Sequence, residues 1–245
     1  MAKRRRRTGS GILILLLLFA IAVTVVLTIP VFNITSVTVT GNARLSEEEI
    51  LTVAAIPAGE NIYRVSMKNA RERLEGQPYI LTAEVKRRFP ARVSIEVTER
   101  EEAAAIKCTG GYAVIDKAGR VLRIAADTED LMTVTGGTAE EAVPGRNIVM
   151  QDEHFITNLT TILEELEKTD LQVRLRRIQL DSTLDTVLIT EHGLEIHLGG
   201  MDELPYKLQL CRNVLGGGYG GINRESSGVL RWTSEGQFSY RQDEN

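Results

Sequence analysis

The chain has 245 residues, 43% of them hydrophobic and 25% charged, with a formal net charge of −4. Five of its basic residues stand together as Lys3-Arg4-Arg5-Arg6-Arg7, so the remainder carries 24 basic against 33 acidic side chains, a balance of −9. That acidity argues against nucleic-acid binding through a basic surface. The two cysteines, Cys108 and Cys211, are too few for a disulfide framework.

Directly after the basic tail, residues 12–29 form an apolar run of 18 residues without a charge, closed by Pro30. With Gly11 and Val31 included, a helix of this length spans roughly the 30 Å hydrocarbon core of a bilayer. We therefore expect a short cytoplasmic tail over residues 1–11 and a transmembrane helix over residues 12–32. Cations before the run and none directly after it place the chain beyond residue 32 outside the cytoplasm. Ala20-Ile21-Ala22 has the small-residue spacing of a signal-peptidase site, but the apolar stretch continues past it, which favours a retained anchor.

Residues 34–40 alternate Val37 and Val39 with Thr38 and Thr40 and end at Gly41-Asn42, which predicts a strand and a turn. Ser46-Glu47-Glu48-Glu49 is a capping box, with acids at the positive end of the helix that follows. A second helix is predicted over residues 66–74, capped by Ser66, with Met67, Ala70 and Leu74 on one face. Leu81, Ala83 and Val85, then Val93, Ile95 and Val97, alternate with polar residues in two strands that turn at Pro90. One face of each strand is apolar, and the two helices are expected to cover it.

Strand, helix, helix, strand, strand in about 65 residues is a small α+β unit. It resembles a POTRA domain. Val37-Thr38-Val39-Thr40-Gly41, Pro78-Tyr79-Ile80, Val85-Lys86-Arg87-Arg88-Phe89-Pro90 and Val93-Ser94-Ile95-Glu96-Val97-Thr98-Glu99-Arg100, in that order behind one anchor, resemble the FtsQ/DivIB family of bacterial cell-division proteins. The family's usual Glu-Arg-x-Pro continuation is replaced here by Glu99-Arg100-Glu101-Glu102. The POTRA unit is expected over residues 33–101.

Beyond it the pattern is mainly of strands. Residues 112–115 and 120–124 flank Asp116-Lys117-Ala118-Gly119, a hairpin loop, and residues 132–135 make a short strand. An amphipathic helix is predicted over residues 152–168, with Phe155, Leu159, Ile162, Leu163 and Leu166 as its core stripe. Strands over 173–180, 186–189 and 194–198 precede a helix carrying Leu204, Leu208, Cys211, Val214 and Leu215 on one side. On that face Cys211 is expected to be a buried, unpaired thiol. Residues 229–233 and 238–241 form a last hairpin. Glu191-His192-Gly193-Leu194-Glu195-Ile196-His197-Leu198-Gly199-Gly200, followed by Tyr206-Lys207-Leu208, resembles the same family's β domain, expected over residues 102–241 ahead of a short tail, 242–245.

No catalytic constellation stands out. His192, Glu195 and His197 lack the spacing for tetrahedral ligation, and neither Gly-x-Ser-x-Gly nor Ser-x-x-Lys occurs. Residues 216–221 spell Gly-x-Gly-x-x-Gly, yet after a helix and before a strand, the reverse of a dinucleotide loop. Lys86-Arg87-Arg88 and Arg174, Arg176 and Arg177 read as solvated basic clusters or a docking patch for an acidic partner. We expect no enzyme, metal or cofactor.

Binding remains. A terminal strand exposes unpaired amides and carbonyls, which a partner strand can use; the alternative is that Phe238 and Tyr240 simply close the core. The resemblance implies that the last strands receive a membrane partner, FtsB or DivIC, together with FtsL. By position the candidates are Leu230, Trp232, Phe238, Ser239 and Tyr240. The expected function is a non-catalytic divisome scaffold at the septal cell membrane that helps regulate peptidoglycan synthesis. The competing classes are a POTRA-bearing secretion or outer-membrane assembly factor, which lacks a barrel region here, and an anchored cell-wall enzyme.

Overall fold

The computed structural model describes residues 8–128, 130–171, 174–180, 185–217 and 221–242. The basic tail at 3–7, Val173 at the start of an expected strand, and residues 218–220 of the glycine loop lie outside them. Two compact units meet between Glu99 and Arg100.

The first unit begins with helix α1, Thr8–Thr28, in which residues 11–21 are all exposed. Its 21 residues measure about 32 Å. The side chains of Ala22 and Leu27 are not among those described, and over the described residues no helix is long and apolar enough to cross a membrane. A single 3-10 turn, Pro30–Phe32, leads into strand β1, Ser36–Thr40. Helices α2, Glu47–Ala54, and α3, Met67–Glu75, follow, then strands β2, Ile80–Arg88, and β3, Arg92–Glu99. The sheet runs β1-β3-β2, with β1 parallel and β2 antiparallel to β3.

Local chemistry explains these ends. Ser46 accepts the Glu49 N–H while the Glu49 carboxylate accepts the Ser46 N–H at 2.8 Å, the expected capping box. Donation from the Ser46 N–H, and from its hydroxyl, holds the Glu49 carboxyl below its ordinary value of 4.5. The Arg73 guanidinium donates to Ala54 O and so satisfies the C-terminal end of α2. At Gly41, with φ of 84°, a Cβ would lie 2.1 Å from Val97 O, so the turn after β1 admits only glycine.

On the central strand Val93, Ile95 and Val97 are all buried beneath the helices, each burial worth roughly 1.5–3 kcal/mol. One expectation fails on β2. Leu81 is 46% exposed, because a register shift between Ile80 and Thr82 puts Ile80, fully buried, on the inner face instead.

Among the described residues, the second unit holds nine strands in one sheet. They are β4, Ala104–Cys108; β5, Gly111–Ile115; β6, Val121–Ala125; β7, Thr133–Thr135; β10, Leu175–Leu180; β11, Thr186–Thr190; β12, Leu194–Gly199; β13, Gly228–Trp232; and β14, Phe238–Arg241. A separate two-stranded ribbon pairs β8, Ala139–Glu141, with β9, Val149–Met150. Helices α4, Glu153–Thr169, and α5, Leu204–Leu215, complete the unit. Strands β4, β8 and β9 had not been expected.

The order is β14-β13-β12-β11-β10-β7-β4-β5-β6. The three-residue β7 joins two halves, pairing in parallel with β10 on one side and β4 on the other. β12 and β13 are also parallel, and α5 is the crossover such a pair needs. Stripes from both helices pack with inward strand residues in one core, including Leu159, Ile162, Ile178, Leu188, Ile196 and Leu208. The Asp116 carboxylate shapes the β5–β6 turn, accepting from the Ala118 and Arg120 N–H groups and pairing with Arg100 at 2.6 Å.

Candidate functional site

Strand β14 ends the sheet, and among the described residues no strand pairs with its outer side. Its register with β13 is Trp232↔Phe238, Arg231↔Ser239 and Leu230↔Tyr240. Residues opposite each other in a sheet share a face, as do residues two apart. Leu230, Trp232, Phe238 and Tyr240 therefore lie on one face, and Ser239 and Arg231 on the other.

Thr233 N–H donates to Gln237 O at 2.9 Å, closing the hairpin. Ladder bonds alternate along an antiparallel pair, so the next bonded positions are Arg231/Ser239 and Val229/Arg241. The backbone N–H and C=O of Phe238 and Tyr240 then point away from β13, toward the free side.

The five predicted residues differ in access. Leu230 is 1% exposed and belongs to the core, so it supports the edge from beneath. Trp232, Phe238 and Tyr240 are half-buried, and Ser239 is exposed. Both Phe238 and Tyr240 pack against the core, as the core-closing alternative expected, while each remains partly exposed. Tyr240 is fixed by its hydroxyl, which donates to Ser227 O at 2.6 Å.

Two residues of α5 complete the site and had not been singled out as contacts. The Tyr206 ring stands edge-on to Trp232 at 6.0 Å and is 52% exposed, and Trp232 meets Phe238 at 5.2 Å. Lys207 is buried, donates to Gly200 O at 2.9 Å, and holds its ammonium 5.7 Å from the centre of the Trp232 ring. An aromatic off the apolar stripe of α5 was the available signal for Tyr206. The burial of Lys207 depends on the crossover, and its only signal was its place in the Tyr206-Lys207-Leu208 segment that carried the resemblance.

The other candidates have structural partners. His197 Nδ1 lies 2.9 Å from Asp185 Oδ2, whose companion oxygen accepts the Gly199 N–H, and Glu195 stands 3.5 Å from Nε2. Among the described residues no three such groups converge on a metal position. Arg174, Arg176 and Arg177 line an open groove of about 510 Å³ with Asp130, Glu191 and Tyr112. Arg87 donates to Ile62 O and Val65 O. Both cysteines are free, and burial pushes the Cys211 thiol up to about 12. The arrangement at β14 is suited to backbone pairing flanked by aromatic packing.

Comparison with known proteins agrees with this architecture. The model of the FtsQ-type POTRA domain matches residues 32–100, and that of the cell division protein FtsQ/DivIB C-terminal region matches residues 104–219, ending before β13. The chain is 28% identical over 191 residues to cell division protein DivIB of Clostridium botulinum, covering 77% of this chain and 74% of that one. Against cell division protein FtsQ of Myxococcus fulvus it is 30% identical over 190 residues, covering 77% and 66%. Against FtsQ of Corynebacterium glutamicum it is 25% identical over 189 residues, covering 76% and 80%. With its two units matched in order by the two models, the chain belongs to the FtsQ/DivIB family of cell division proteins.

Proposed function

We propose that this protein is a non-catalytic scaffold of the divisome, held in the cell membrane by α1 with residues 1–11 in the cytoplasm and the two units outside it. The POTRA unit helps bring it to the division septum. The β domain holds FtsB/DivIC-like and FtsL-like partners, each with a single membrane span, and so helps regulate septal peptidoglycan synthesis.

The observation that carries this reading is the open β14 edge, with outward backbone groups at Phe238 and Tyr240 beside the Tyr206, Trp232 and Phe238 rings. An extended partner segment adds a strand there through main-chain hydrogen bonds and takes specificity from the rings. Anchoring in the same bilayer raises the effective concentration of such a partner. Co-purification of the full chain with FtsB/DivIC-like and FtsL-like proteins is the test. Removing residues 238–245 abolishes capture on this reading, and undiminished capture overturns strand pairing.

A further inference from the structure

The first unit gathers three segments at the end of α1. Asn61 Nδ2 donates to Val26 O at 3.1 Å, and Ile62 N–H donates to Phe32 O at 2.8 Å. Thr35 N–H donates to Ala91 O at 2.8 Å, and β1 begins opposite Arg92. The β2–β3 turn is thus placed at the same end as the exit from the helix.

The surface formed there is aromatic and basic. Phe32 and Tyr63 meet at 5.4 Å, and Tyr63 and Phe89 at 5.5 Å, so a row of rings runs from the helix exit to the turn. Val31, Tyr63 and Phe89 are 61%, 44% and 59% exposed. Arg88 and Arg92 occupy opposite positions across the turn, with the Arg88 Nε–H donating to the Ser94 hydroxyl at 3.2 Å. Like charges directly opposite on two strands destabilise a hairpin in water, and an anion between them reverses the sign.

We propose that this tip, Val31, Tyr63 and Phe89 with Arg88 and Arg92, seats on the bilayer surface and binds anionic phospholipid headgroups. The inference rests on the reading of α1 as a membrane anchor. Aromatic rings whose bodies are apolar and whose edges tolerate water concentrate at the level of headgroups. Each basic side chain near an anionic surface adds to the attraction. The seat adds to the bonds from Asn61 and Ile62 at the end of α1 in fixing the orientation of the first unit over the membrane.

The five phenylalanines, Phe19, Phe32, Phe89, Phe155 and Phe238, provide the test. The full chain, labelled with 4-fluorophenylalanine, is placed in nanodiscs of phosphatidylcholine with or without phosphatidylglycerol, and fluorine spectra are compared with and without lipid bearing a paramagnetic headgroup or acyl-chain label. With phosphatidylglycerol present, the Phe19 and Phe89 resonances are lost to the paramagnetic lipids. The Phe89 signal returns in phosphatidylcholine alone or in the Arg88→Glu/Arg92→Glu variant, while Phe19 stays lost. Hydrogen exchange at the amide of buried Ile95 reports the fold of the first unit in each variant. A Phe89 signal that survives while Phe19 is lost overturns the seat and leaves the anchor standing. Phe89 loss indifferent to both phosphatidylglycerol and the arginines also overturns it, as mere tethering. A surviving Phe19 signal overturns the anchor, and the seat with it.

Discussion

The nine-stranded sheet ends in two very different edges. At β6 the chain covers the start of its own edge: Val121 N–H donates to Arg146 O, Gly145 N–H to Val121 O, and Ile148 N–H to Gly119 O. Val121 and Leu122 are buried as deeply as any interior strand. At β14 no residue is fully buried, and no described segment lies along the outer side. Proteins block strand edges because an open one templates association. On the function proposed above, the edge left open beside three aromatic rings is the one a partner strand would use.

The largest expected effect lies at the covered edge. Val121→Pro removes an N–H that is used and forces a ring into a buried strand, costing about 3 kcal/mol or more in urea unfolding. A near-neutral result would show that the 143–148 segment does not seal β6. Next, Trp232→Ala at the open edge lowers partner affinity by about 2 kcal/mol, some 30-fold, in a titration with the purified partner.

A subtler pair isolates the backbone. Tyr240→Ala and Tyr240→Pro both lose the ring, but only proline loses the outward N–H. The proline variant binds partner more weakly than the alanine variant by about 1 kcal/mol while unfolding at a similar urea concentration. Equal affinities for the two would remove main-chain pairing from the account.

The smallest effect near neutral pH concerns Cys211, behind the open half on α5. Its folded value of about 12 stands above the ordinary thiol value of 9.0. The unfolded chain therefore loses this proton first. The stabilisation is complete below pH 9 and is lost as pH rises toward 12. Stability measured between pH 9 and 11 falls more steeply in the parent than in Cys211→Ala, and native Cys211 resists iodoacetamide at pH 8.

Much of the first unit was legible because its signals are local. The capping box at Ser46, the Ser66 cap and the alternation of Val93, Ile95 and Val97 each operate within a few residues. The slip at Leu81 came from a bulge, which inverts the faces without changing the pattern's appearance. In the second unit β4 was hidden in Ala104-Ala105, small residues with weak strand preference, and β8 and β9 have only three and two residues. The aromatic residues of the last hairpin were legible one by one. That β14 is an edge, that Leu230 sits beneath it, and that Tyr206 and Lys207 reach Trp232 all follow from strand order and a crossover, which no local window carries.

The brevity of β7 has a mechanical meaning. Three residue pairs tie it to β10 and two tie it to β4, whereas β4 and β5 share five. A load applied to β14 and resisted at β6 crosses every seam of the sheet in series. It meets the least backbone resistance at β7. A pulling experiment between these two ends first parts the sheet there, leaving β10 to β14 joined to one another.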